Sequence, residues 1–219
     1  MRPRTSLLAI SLVAALVAGC GGDDSEESPE GQGGQGAAGC EQASPPEPRE
    51  GNLSAPKQTV KPSDKLTAVV DTSCGSFEIA LDARRAPKTV NSFAYLAREG
   101  FYDGLPFHRI SPGFVIQGGD PLGNGTGGPG YSVDEAPPAN LAYTRGVVAM
   151  AKSEVEPPGR SGSQFYVVLA PDAGLSPDFA LVGRVDRGFD VVERIGRLGT
   201  PTEQPRQTVL IDRITVERG

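Results

Sequence analysis

The sequence predicts a mainly β fold, an antiparallel sheet that closes on itself and carries two helices. Three observations point there. Short apolar runs recur after residue 64, and several of them alternate apolar with polar positions. Turn residues rather than helices separate most of these runs, which argues against a doubly wound parallel sheet. The apolar spacing switches to a helical period in only two places.

Each element has its own justification. Leu66–Asp71 and Ser76–Leu81 read as strands, the second placing Phe77, Ile79 and Leu81 on one face. Thr72-Ser73-Cys74-Gly75 supplies the turn between them. A helix is expected near 87–99. Pro87 suits a first helical turn, Val90, Phe93, Ala94 and Ala97 follow at helical spacing, and Gly100 suits a stop. Strands resume at Phe107–Ile110, Phe114–Gln117, Gly146–Ala151, Gln164–Leu169 and Ala180–Val185. A second helix near 188–197 spaces Phe189, Val192, Ile195 and Gly196 along one stripe, and Val209–Val216 is a last alternating strand. The Gly- and Pro-rich stretch from Asp120 to Tyr143 has no periodicity, and loops of that length are often functional.

The N-terminal part of the chain is a different material. All 8 Phe and 5 Tyr lie at or after Phe77. Arg2 and Arg4 precede an uncharged, mostly apolar stretch from Thr5 to Ala18, too short to span a bilayer comfortably but suited to a secretory signal peptide. Val17-Ala18-Gly19-Cys20 resembles a bacterial lipobox, in which cleavage precedes a cysteine that then carries lipid. The expected organisation is therefore a lipoprotein signal peptide over 1–19, a lipid-anchored flexible linker over 20–63 and a folded domain over 64–219. The linker's Gly, Pro and acidic residues suit a spacer that holds the domain off a membrane. Export would place Cys40 and Cys74 where a disulfide can persist, and with Cys20 lipidated they are the remaining pair.

Composition narrows the chemistry. A formal charge of −6 offers no electrostatic footprint for nucleic acid. One histidine, His108, cannot build a His-rich metal site or proton relay, and three widely spaced cysteines make no zinc knuckle. Gly123-Asn124-Gly125-Thr126-Gly127-Gly128 satisfies G-x-G-x-x-G, but Pro129-Gly130 cannot open the helix that a dinucleotide site needs. Ser161-Gly162-Ser163-Gln164 lacks the G-x-S-x-G pattern of a nucleophile elbow. No cofactor and no metal are expected.

The most informative segment is Phe107-His108-Arg109-Ile110-Ser111-Pro112-Gly113-Phe114-Val115-Ile116-Gln117-Gly118-Gly119-Asp120, where Arg109 and Gln117 interrupt an apolar stretch. On its residues alone it fits a core strand with one surface Arg and one satisfied amide as well as it fits a site. It closely resembles the signature of cyclophilin-type peptidyl-prolyl cis-trans isomerases. So do Met150-Ala151 and Gly162-Ser163-Gln164-Phe165-Tyr166, at the expected order and distance, and the resemblance extends over roughly 66–217.

The resemblance implies a closed eight-stranded antiparallel barrel capped by two α-helices. It implies that Arg109, Gln117 and Phe114 are the catalytic residues, Arg109 foremost. His108, Val115, Ala151 (through its backbone), Gln164, Tyr166, Leu175 and Phe179 would form the substrate-binding set. Many members carry Met at the position of Val115 and Phe at that of Tyr166. Eukaryotic members often have Trp at Gly174, His at Phe179 and Asn at Lys152. The expected partners are proline-containing exported polypeptides, met by a monomer anchored to the cell membrane through Cys20. A second reading keeps the same barrel as a non-enzymatic proline-peptide-binding or scaffold module.

Overall fold

A computed structural model describes residues 39–219 of the chain. The signal peptide and the lipidated Cys20 expected from the sequence lie outside the described residues.

Eleven strands and two helices follow in the order β1 (Leu66–Thr72), β2 (Gly75–Leu81), α1 (Pro87–Arg98), β3 (Leu105–Pro106), β4 (Arg109–Ser111), β5 (Val115–Gly118), β6 (Val133–Asp134), β7 (Val147–Met150), β8 (Arg160–Ser161), β9 (Phe165–Val168), β10 (Leu181–Arg187), α2 (Phe189–Gly196) and β11 (Leu210–Arg218). Nine strands form one curled antiparallel sheet in the order β3-β11-β1-β2-β10-β7-β9-β5-β4, and β6 pairs with β8 in a separate ribbon.

The expectation of a closed eight-stranded barrel needs correction. The sheet has nine strands, and no ladder joins its edges β3 and β4. The added strand, β3, lies just before the stretch read as a strand over 107–110. Pro106, which has no N–H, ends β3, and Phe107 and His108 lie outside any strand before β4 begins at Arg109. The link after β3 and the free edge of β4 bond to loop carbonyls instead. Phe107 N–H donates to Val209 O (2.9 Å) and Ile110 N–H to Glu203 O (2.8 Å).

Alternation along the strands divides the apolar residues between two faces. Ile110, Ile116, Val148 and Val167 join the main core with Phe93, Tyr102, Phe107 and Phe165. Their strand neighbours Val115, Val147, Ala149, Tyr166 and Val168 form a second cluster on the other face, with Phe114, Ala151, Leu175 and Phe179 packed against it. One face of the sheet is thus the domain core and the opposite face is the floor of a site.

Helix α1 begins at Pro87, and eight of its residues are buried, including the expected Val90, Phe93, Ala94 and Ala97. No side chain at its own N-cap bonds the first turn. Glu135 does so from a distant loop, its carboxylate accepting from Lys88 N–H, Thr89 N–H and the Thr89 hydroxyl. Helix α2 starts after Gly188, whose φ of 73° and close approach to Ser76 O leave no room for a side chain.

Residues 40–63 fall within the stretch read as a spacer, yet they lie ordered against the domain. Cys40 is disulfide-bonded to Cys74, and both are buried. Arg49 N–H donates to Pro121 O and Leu53 N–H to Pro129 O. Asn91 on α1 accepts from Thr59 and Val60 N–H and donates to Lys57 O. Gly51 passes so close to the Gly128–Pro129 backbone that a Cβ there would sit 1.9 Å from Gly128 O. This strap is held mainly by main-chain hydrogen bonds, which any residue type can make, and so its composition still resembles a linker.

Candidate active site

The site lies on the outer face of β4, β5, β9 and β7. Register sets one row across these strands: Arg109 opposite Gln117, Gln117 opposite Tyr166, and Tyr166 opposite Ala149. Val115, two residues before Gln117, shares that face. Arg109, Phe114, Val115, Gln117, Ala151, Lys152, Tyr166, Leu175 and Phe179 surround a depression of about 250 Å³. Its floor is apolar and its polar groups stand along one side.

The aromatic wall is fixed by edge-on packing. The Tyr166 and Phe179 rings lie 5.7 Å apart at 85°, and Tyr143 packs against Phe179 at 5.9 Å and 88°. Tyr143 also clamps the Phe179 main chain, donating its hydroxyl to Phe179 O (2.6 Å) and accepting from Phe179 N–H (3.0 Å). Lys152 places its ammonium 5.6 Å from the Phe179 ring centre while donating to Ser153 O and Glu156 O. The Tyr166 hydroxyl is buried with no hydrogen-bond partner, and burial pushes its pKa far upward, so it stays protonated.

The polar side is a directed relay. Arg109 Nη1 donates to Gln117 Oε1 (3.0 Å), and Gln117 Nε2 donates to Gln164 Oε1 (3.0 Å). Gln164 Nε2 donates to Gly125 O and Gly127 O, which anchors the relay on the Gly-rich loop. That loop is itself shaped by buried Asp120, whose carboxylate accepts from the N–H groups of Leu122, Asn124 and Gly125. Gly125–Ser132 then form one side of an adjoining, more polar depression of about 730 Å³ that shares Gln117, Ala151 and Lys152 with the first. No helix follows the glycines. Ala151 N–H is tied to Gln164 O (2.8 Å), so its carbonyl is what its backbone can offer a bound chain.

Arg109 has a second partner. Its Nε and Nη2 donate to the two carboxylate oxygens of Glu203, at 2.6 and 3.2 Å. Hydrogen bonds from the Arg109 guanidinium, and then from Ser111, hold the Glu203 carboxyl below its ordinary range. Of five guanidinium N–H donors, three are occupied and two remain for a ligand.

Of the site residues drawn from the sequence, Arg109, Phe114, Val115, Gln117, Ala151, Tyr166, Leu175 and Phe179 meet around the first depression, and Gln164 borders the second. His108 lines neither. It sits in the two-residue link between β3 and β4, where strand alternation does not set its side. Both of its ring nitrogens are buried and unpartnered. Desolvation lowers its pKa below the ordinary 6.5, against an upward pull from Asp120 and with a further downward push from Arg109. Sequence reasoning missed Tyr143 and Glu203. Both sit in loops without periodicity, and they reach the site across 36 and 94 residues of chain.

Chemically, the site combines an apolar well with a permanently charged, multiply bonded guanidinium and a polarised amide. It holds no paired nucleophile and base. Ser163, buried nearby, spends its hydroxyl on Gly119 O.

Comparison with known proteins agrees with this layout. Residues 67–216 match the family model described as cyclophilin type peptidyl-prolyl cis-trans isomerase/CLD. The chain is 38% identical over 175 residues to peptidyl-prolyl cis-trans isomerase B of Streptomyces anulatus, covering 71% of this chain and 98% of that protein. It is 42% identical over 137 residues to peptidyl-prolyl cis-trans isomerase-like 1 of Aspergillus niger, covering 61% and 83%. Among solved structures, a cyclophilin type peptidyl-prolyl cis-trans isomerase of Cryptosporidium parvum superposes with a TM-score of 0.66 at 27% identity, covering 71% of this chain and 99% of that one. A second structure of that protein, in the presence of the dipeptide Ala-Pro, gives 0.64 at the same identity, covering 70% and 99%. On fold, site and sequence together, the chain belongs to the cyclophilin-type peptidyl-prolyl cis-trans isomerase family.

Proposed function

We propose that the protein accelerates cis-trans isomerisation of Xaa–Pro bonds in exported polypeptides and works at a membrane surface, tethered through Cys20. The observation that carries the reaction is the placement of Arg109 beside the well formed by Phe114, Val115, Tyr166, Leu175 and Phe179.

The physics of the bond explains why such a site suffices. An Xaa–Pro bond prefers trans by only about 0.5–1 kcal/mol, yet crosses a barrier of about 18–20 kcal/mol set by amide resonance. A catalyst must bind the twisted amide better than either planar form. The well grips the proline ring and excludes water from it. As the amide twists, the prolyl nitrogen pyramidalises and becomes a better acceptor. A free Arg109 N–H can donate to that nitrogen, or hold the neighbouring carbonyl, without any change in protonation. Gln117 and the Ala151 carbonyl can fix the adjoining backbone. A rate gain of about 10⁵ corresponds to about 7 kcal/mol of such differential binding.

The Val-Ala-Gly-Cys segment after an apolar stretch supports the anchored location, and the acidic spacer that follows supports display away from the bilayer. Two measurements test the reading. The purified chain should speed cis-to-trans conversion of a proline tetrapeptide in a protease-coupled assay. In cells, Cys20→Ser should move the protein out of the membrane fraction and abolish its labelling by a fatty-acid probe. No acceleration by the wild type would remove the enzymatic claim. Unchanged fractionation and labelling of the Cys20→Ser protein would remove the anchoring claim.

A further inference from the structure

We propose that Glu203 is a positioning residue for catalysis, holding the Arg109 guanidinium in the one orientation that leaves its free N–H donors available to the twisted amide. The proposal rests on the isomerase reading above and adds to it a residue from a loop remote in sequence.

Glu203 is the only non-glycine residue among those described with a left-handed backbone, at φ 62°. L side chains avoid that region, and Gly or Asn would occupy it more readily. The loop around it is docked from several directions. Glu203 N–H closes a turn onto Thr200 O (2.8 Å), and the Thr200 hydroxyl donates to Gln204 O (2.8 Å). Glu203 O accepts from Ile110 N–H (2.8 Å). Gly199 lies so near β4 that a Cβ would stand 2.6 Å from Ile110 O. The same residue therefore grips β4 twice, at Ile110 through its carbonyl and at Arg109 through its side chain. A carboxylate stands where glycine would be easier, and both its oxygens are spent on Arg109.

The need is visible at Arg109, whose side chain is 35% exposed. A long, flexible arginine in contact with water does not by itself hold one rotamer. Gln117 supplies a single hydrogen bond through Nη1, about which the plane of the guanidinium could still turn. Glu203 takes Nε and Nη2 together, a two-point contact that fixes the plane. The apolar well does not depend on Glu203, so proline-ring binding should survive its loss while stabilisation of the twisted amide does not.

Two variants of the full chain separate this role from a structural one. Glu203→Gln keeps the size and removes the charge. Glu203→Gly removes the side chain and relieves the left-handed backbone, so it should fold at least as well as the parent. Both should lose about tenfold in kcat on a proline tetrapeptide with KM nearly unchanged, the loss expected when an interaction made in the transition state is weakened. Tm should hold or rise in Glu203→Gly. The Arg109 Nε–H resonance, distinct in the wild type, should collapse into the envelope of solvent-averaged arginines. A kcat within twofold of wild type in Glu203→Gly, or a loss of kcat that only tracks a fall in Tm, would overturn the proposal. An inactive wild type would instead remove the isomerase reading on which it stands.

Discussion

Arg109 and His108 are neighbours in the chain with opposite fates. Arg109 faces the well with three of its donors engaged. His108 is packed away with neither ring nitrogen bonded. Burial favours the uncharged ring in the folded state. As pH falls below 6.5, the unfolded chain takes up the proton before the folded one does, so stability is complete above that value and declines on acidification. His108 is the only histidine, which makes the effect assignable. The slope of Tm against pH between about 5 and 7 should be positive in the wild type and flatter in His108→Phe. Equal slopes would mean the ring is hydrated or paired in solution. At this scale the sequence motifs named the residues of the well, whereas the side His108 takes depended on a two-residue link between strands that no periodicity marks.

Among the elements, the strands and helices were the most legible, because alternation and helical spacing are direct consequences of burial on one face. The expected β1–β2 hairpin has the turn read from Thr72–Gly75, with Thr72 and Gly75 paired across it. The short strand β3 before the 107–110 run, and the late start of β4 at Arg109, were not legible, since Pro106 acts through a missing donor rather than through hydropathy. Nor was the strap over 40–63. Its fixed points are one disulfide and a series of main-chain bonds to Asn91, Pro121 and Pro129, none of which alters composition. The disulfide spans a sequence separation of 34, so the chain-entropy model assigns it about 3–4 kcal/mol. The double variant Cys40→Ser/Cys74→Ser should lose about that much in urea denaturation, with the m-value raised as the unfolded chain becomes less compact. A midpoint equal to that of the oxidised parent would show that the strap is held without the bond.

Across the whole molecule, one sheet serves two purposes. Its inner face packs the aromatic core around Phe93, Tyr102 and Phe165, and its outer face carries the row from Arg109 to Ala149. The rigidity that the reaction needs is thereby supplied by the same strands that fold the domain, with loops adding Glu203, Tyr143 and the Gly125–Gly127 carbonyls. Those loop contributions cross long stretches of sequence, and for that reason the motifs disclosed the floor of the site but not its supports. Isomerisation at this site depends on a fixed arginine beside an apolar well. Comparing kcat/KM of the wild type and Arg109→Ala on a proline tetrapeptide, with Tm measured alongside, tests it most directly. Arg109→Ala should lose about tenfold or more with Tm nearly unchanged. Wild-type activity in a folded Arg109→Ala protein would contradict it.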